Sequence, residues 1–276
     1  MTFSLVACDL EAQDWGVAVA SKFLAVGAIV PWVAADAGAV ATQSYANVSF
    51  GPEGLDLMRS GAAAQDALDL LVAGDDGRDQ RQVGIVDRHG AAATFTGSGC
   101  HDWAGGRTGE GYAAQGNILA GAQVVEAMAD AFESAAGSLA ERLLTGLAAG
   151  DGAGGDSRGR QSASLVVHRP DGGYAGGNDV LIDLRVDDHP DPVAELARLY
   201  AIHDLLFGKT PQEDLIPLEE VQAEVAHRLG DLGFHGELER ALADWAGAAN
   251  LEERVYDGRI DPVVLRELRK AGDPDR

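Results

Sequence analysis

Lysine is scarce in this chain of 276 residues: only Lys22, Lys209 and Lys270 occur, beside eighteen arginines. Cationic side chains number 21 against 44 carboxylates, a formal net charge of −23. So anionic a surface repels nucleic acid and anionic membranes, and neither is expected as a partner. Only two cysteines are present, Cys8 and Cys100, both in apolar or small-residue runs. That excludes a disulfide framework and suggests a reducing compartment. No basic-then-apolar leader precedes Phe3 and no apolar run is long enough to span a bilayer. The chain therefore reads as cytoplasmic. Aromatic residues make up only 6% while glycine reaches 36 residues, so close backbone packing, rather than large rings, is expected to fill the core.

Cofactor signatures are missing as well. There is no HExxH, no EF-hand loop and no glycine-rich loop ending in GK[ST]. The scattered His101, Asp102, Asp187, Asp188 and His189 lack a regular ligand spacing. Neither a metal nor an organic cofactor is expected. In "GSGCHDW", Cys100, His101 and Asp102 are adjacent, but neighbouring strand side chains diverge. They read as a core cysteine with polar loop groups; a cysteine- or metal-dependent hydrolase is the less favoured alternative.

What is present is ordered. "TFSLVAC" and "WGVAVAS" are apolar runs of strand length around the acidic connection "DLEAQD", which predicts a hairpin covered on both faces. A turn centred between Glu11 and Ala12 pairs residues whose numbers sum to 23, setting Thr2 opposite Ser21 with Cβ atoms about 5 Å apart. "RQVGIVDRHGAAATFTGSG" predicts a second hairpin turning at Arg88-His89-Gly90, and "QSASLVVHRP" and "VLIDLRVDD" return to strand. Helical spacing marks "GPEGLDLMRSG", "AAAQDALDLLVAGD", "AGAQVVEAMADAFESA" and "SLAERLLTGLAAG". "GDGAGGDSRG" reads as a flexible loop. Strands and helices in this order predict two sheets with helices outside. After "DDHPDPVAEL", where Asp191-Pro192 suits a helix start, the composition turns acidic and helical. Domains are expected over 1–200 and 210–276, the second built of three short helices.

Thr2 carries the chemistry. Residue 2 is small enough for the initiator methionine to be removed, which would give Thr2 a free α-amine. A hydroxyl needs a base before it attacks a carbonyl, and a terminal amine, with pKa about 7.7–8, is basic near neutrality. One residue would supply both nucleophile and base. Acyl transfer also needs oxyanion donors. Asn47, in "SYANVS", is either such a donor or a turn asparagine; Gly97, Ser98 and Gly99 offer backbone amides or merely permit a turn; Asn117, in "QGNIL", reads more readily as structural. Arg160 and Gln161, in "GRQSAS", enter a strand. Arg160 can grip a substrate carboxylate or, the favoured reading, pair with Asp183 or Asp187.

These stretches resemble a known family. The leading hairpin resembles the N-terminal nucleophile (Ntn) hydrolases. "TFSLVACD", "GVAVASKFLAVGAIVPW", "GAVATQSYANVSFGPEGL", "QGNILAG", "GGDSRGRQSASLVV" and "DLRVDDHPDPVAELARL" resemble the domain-of-unknown-function 1028 family within that superfamily. The tail, "FHGELERALADWAGAANLEERVYDGRIDPVVLREL", is similar to a peptidoglycan-binding-like module. The resemblance implies an α+β fold, a four-layer αββα sandwich with a small all-α C-terminal module. It implies an amidohydrolase acting through Thr2 on a small amide or short peptide, a cell-wall fragment as ligand of the module, and homo-oligomeric assembly. One departure stands out. Proteasome-like members carry an aspartate at the end of the second strand and a lysine further on. Here Ser21 takes the aspartate-like place, and no lysine lies between Lys22 and Lys209. Lys22 could replace that charge only through a bulge or at a strand end, since on a regular strand it alternates away from Ser21. The rival reading is a non-catalytic binding protein on the same scaffold. In the tail, Phe234, Trp245 and Tyr256 are read as core rather than as a glycan groove.

Overall fold

A computed structural model describes residues 2–271. The expected removal of Met1, and the end of the second domain at 276, lie outside the described residues. The chain divides into two compact units, Met1–Arg198 and Leu199–Arg276, and each is described by itself.

The first hairpin forms as its apolar runs dictate. β1 (Thr2–Asp9) and β2 (Asp14–Ser21) pair antiparallel with Phe3 opposite Ala20 and Asp9 opposite Asp14, the expected register. Alternation then sorts the side chains of β1. Thr2, Ser4, Val6 and Cys8 share one face and Phe3, Leu5 and Ala7 the other. Each face is buried, which is why the run is apolar almost throughout.

A second sheet covers the Val6 face. β3 (Pro31–Ala34), β4 (Gly38–Gln43), β5 (Gln82–Asp87) and β6 (Ala92–Thr96) form a four-stranded antiparallel sheet in sequence order. Val6, Val17 and Val19 pack there on Ala39, Ala41 and Val86. The outer face of this sheet is closed by α1 (Phe50–Arg59) and α2 (Ala64–Ala73), whose Phe50, Met58 and Leu68 meet Val40 and Ile85. The buried Asp87 links the layers: its carboxylate accepts from the Ala64 amide at the start of α2 and from the His89 and Ala91 amides of the β5–β6 turn.

The six-stranded sheet contains β7 (Gly105–Gly109), β8 (Tyr112–Asn117), β9 (Ser162–His168) and β10 (Val180–Val186) in the order β10-β9-β2-β1-β8-β7. The β7–β8 hairpin was not foreseen. On the Leu5 face lie α3 (Gln123–Ser134) and α4 (Leu139–Gly152), the latter begun by a Ser138–Glu141 capping box. Its close approach needs glycine: a Cβ on Gly146 would stand 2.4 Å from Leu5. The first unit is thus helix, sheet, sheet, helix, with an α+β composition.

α5 (Pro192–Phe207) starts at the expected proline. The second unit then holds α6 (Leu218–Asp231), α7 (Leu238–Ala248) and α8 (Pro262–Ala271), the three helices expected there. Its sequence did not reveal β11 (Ile216–Pro217), β12 (Val255–Tyr256) and β13 (Arg259–Ile260), a three-stranded ribbon of two-residue strands. Trp245 lies in the core with Phe234 packed against it, as anticipated, whereas Tyr256 is only half-buried and outside that cluster. A buried ion pair also sits here. Arg254 Nη1 donates to Asp261 Oδ2 at 2.9 Å, Arg254 Nε donates to the Leu205 carbonyl, and Asp261 accepts from Thr210 Oγ1 and the Val263 amide.

Candidate active site

One end of the sandwich gathers most of the polar side chains buried between its sheets. β1 and β9 begin there and β2, β4 and β8 end there, so antiparallel pairing brings Thr2 beside Asn117 on one flank, with Ser21 on the other and Ser162 beyond. Thr2 is 6% exposed. Its Oγ1 lies 3.2 Å from Ser21 Oγ, either of which can donate, and its carbonyl accepts from Gln43 Nε2 at 3.2 Å.

Behind Thr2 runs a chain of neutral groups. Gln82 Oε1 accepts from Gln43 Nε2 and Asn117 Nδ2 at 2.8 and 2.9 Å. Gln82 Nε2 donates to Thr96 Oγ1 and to the Gly105 and Gly116 carbonyls. Ser4 Oγ donates to Gln43 Oε1 and accepts from Gln115 Nε2. Gly84 leaves room for this crossing: a Cβ there would lie 2.1 Å from Gln115 Oε1. None of these side chains titrates, so the network fixes the head of β1 without offering a proton acceptor of carboxylate or imidazole type.

A cavity of about 280 Å³ opens beside Ser21, with Phe3, Ala20, Ser21, Asp151, Asp156 and Arg160 in its wall; Thr2 itself is not in that wall. Asp156 is buried and central. Its Oδ2 accepts from the Lys22 amide at 2.7 Å, and its Oδ1 from the Arg158 amide at 2.9 Å. The segment expected to be a flexible loop is thus a set of tied turns: Leu119 bridges Asp156, and Ser157 donates to the Ile118 carbonyl. Asp156 was not singled out from the sequence. Its signal was an acidic residue among glycines just before a buried strand.

The other sequence candidates fall in several places. Asn117 stands directly opposite Thr2. Lys22 follows Ser21, but its side chain is exposed and Nζ donates to the Arg160 carbonyl at 3.2 Å. Arg160 pairs with Asp151 at 2.7 Å, not with Asp183 or Asp187, because the end of α4 lies closer than the strand beyond. Asp183 is held by Arg185. Gln161 donates its amide N–H to the Ser21 carbonyl and its side chain to Asp188, and it is outside the cavity wall. Asn47 accepts from the Ser49 amide and hydroxyl and so shapes the turn into α1. Gly97 and Ser98 form a turn on Arg78–Asp79, where Ser98 is exposed. Cys100 donates to the Arg81 carbonyl and His101 Nε2 lies 3.3 Å from the Tyr45 hydroxyl. Among the described residues no three His, Cys, Asp or Glu side chains converge as metal ligands.

Comparison with known proteins decides the family. The model for a "Family of unknown function (DUF1028)" matches residues 2–196. The chain belongs to the DUF1028 family. A solved DUF1028 structure, protein SPO2555 from Silicibacter pomeroyi, is 35% identical and superposes with a TM-score of 0.67, covering 74% of this chain and 89% of its own. Residues 205–268 match the model described as "Putative peptidoglycan binding domain". No curated protein matches. The DUF1028 match contains Thr2, Ser21, Asn117 and Asp156. No helix among the described residues is long and apolar enough to cross a membrane.

Proposed function

We propose that this DUF1028 protein is an Ntn-type amidohydrolase of a small amide or short peptide, with Thr2 as nucleophile once its α-amine is free. The observation that carries the reading is the placing of the Thr2 hydroxyl. It is buried at the head of β1, 3.2 Å from Ser21 Oγ, and Ser21 in turn lines a cavity. The α-amine takes the hydroxyl proton as Oγ1 adds to the acyl carbon. The resulting ammonium returns the proton to the departing amine as the C–N bond breaks, leaving a threonyl ester. The amine then deprotonates a water, which opens the ester, releases the acid and restores the hydroxyl. Ser21 orients the hydroxyl, and Asn117 keeps a second amide N–H beyond the one given to Gln82, a candidate donor to the oxyanion.

The test is a screen over amides, lactams and short peptides, with Thr2→Ala as control and intact-mass measurement of the purified chain. Turnover lost in Thr2→Ala but kept in Thr2→Ser, with residue 2 leading the chain, supports the reading. A retained methionine on an active protein overturns it. A second reading has its own support: Lys22 turns its ammonium to Arg160 and supplies no charge to Thr2. On that reading the sandwich binds its ligand without turning it over, and Thr2→Ala leaves affinity unchanged. For the C-terminal domain we propose a cell-wall fragment as ligand, on the family match. A cleft of about 220 Å³ lined by Glu224, His227, Arg228 and Asp231 would meet it through charges rather than aromatic stacking.

A further inference from the structure

The opposite end of the sandwich holds a cavity of about 560 Å³, larger than the one beside Ser21. Its wall is made by the β1–β2, β5–β6 and β7–β8 turns and by α3 and α4. Arg142 enters from α4 with its guanidinium stacked 4.4 Å over the Phe132 ring. The side chain is only 24% exposed, and the nearest carboxylate, Asp9 Oδ2, is 4.0 Å from Nη1. Nε is buried and meets no acceptor among the described residues. With Nε sealed in, the two terminal nitrogens are the donors left as a fork for a planar anion.

The remaining charges narrow the choice. Glu133 is occupied, accepting from Arg107 and from the Tyr112 hydroxyl. Asp9 Oδ1 accepts from the Glu11 and Ala12 amides. Glu110 makes no hydrogen bond or ion pair with the described residues and is exposed at the cavity rim. With three carboxylates in the wall, a dianionic phosphate is disfavoured, whereas a carboxylate on a molecule that also carries a cation is not. Cys8 is also in the wall. Burial first, then Asp87 and Asp9, pushes its thiol up to about 11, so it supplies no thiolate at neutral pH and the cavity reads as a binding site, not a second catalytic one.

We propose that this cavity binds a zwitterionic α-amino acid or short peptide, its carboxylate on the Arg142 fork and its ammonium on Glu110. The inference stands apart from the reading of Thr2. The test is calorimetric titration of the full chain with the dipeptide Leu-Ala, its C-terminal amide, its N-acetyl form and inorganic phosphate. The free dipeptide is expected to bind, with each blocked form at least about tenfold weaker. Arg142→Gln and Glu110→Gln should each weaken it by a similar factor, while Arg160→Gln, at the other cavity, leaves it unchanged. The proposal is overturned by no binding at millimolar dipeptide, by equal binding of the amide, by tighter phosphate binding, or by loss in Arg160→Gln alone. Should Arg142→Gln fail to fold, the blocked peptides on the unaltered chain and Glu110→Gln still decide.

Discussion

The two ends of the sandwich handle buried polarity in opposite ways. At the Thr2 end, Gln43, Gln82, Gln115 and Asn117 all find hydrogen-bond partners, and none of them carries charge. At the far end the buried Nε of the Arg142 guanidinium finds no hydrogen-bond acceptor among the described residues. A satisfied network holds geometry; an unsatisfied donor set is suited to an incoming partner. The first end suits a reacting group that must not wander, the second a ligand that comes and goes.

Breaking the comparison at its strongest point gives the largest effect. Thr2→Ala should lower turnover by about a thousandfold or more, read as kcat on whichever amide the screen finds, with little change in thermal midpoint. The C-terminal domain supplies a charged counterpart to the neutral network. Arg254→Ala should destabilise that domain by about 3–5 kcal/mol, since it strands Asp261 without its cation; amide hydrogen exchange of α6, α7 and α8 at rising urea measures it. Gln82→Leu should cost the sandwich about 2–4 kcal/mol, because it leaves Gln43 and Asn117 donors unpaired. Arg142→Met should stay within about 1 kcal/mol, as few native bonds are lost. A large loss there would mean that Arg142 is structural and would erase the contrast.

The smallest effect concerns pH. The Cys8 thiol is raised from an ordinary value of 9.0 to about 11, by burial first and then by Asp87 and Asp9. Because the folded chain holds this proton more tightly than the unfolded one, the stabilisation is full below pH about 9 and is lost as pH climbs toward about 11. Iodoacetamide at pH 8 should leave Cys8 unmodified in the folded chain. Peptide mass mapping across that range checks both points.

Much of this was legible in the residues. The register sum of the first hairpin follows from its turn, so the Thr2–Ser21 contact could be read before any coordinates. The four helices of the sandwich announce themselves by apolar spacing. The β7–β8 hairpin does not, because "GGRTGEGYAAQGN" has too many glycines and alanines to alternate. Its strand character is imposed by pairing with β1. The glutamines were illegible for a similar reason: a lone Gln at a strand end reads as solvent-facing unless a second sheet covers it. Asp156 and Arg142 were missed because each gains its role from segments distant in sequence. Lys22 lies just past the end of β2, and its ammonium goes to the Arg160 carbonyl.

The strand that bears Thr2 is central in its sheet, between β2 and β8. During synthesis β2 arrives at once, but β8 emerges roughly a hundred residues later. Until then one side of the leading strand is an open ladder of peptide groups, exposed to other nascent chains. Pairing of the Thr2 strand on both sides is therefore timed by translation of the Gln115–Asn117 segment, and chaperone demand should be greatest just before it leaves the ribosome.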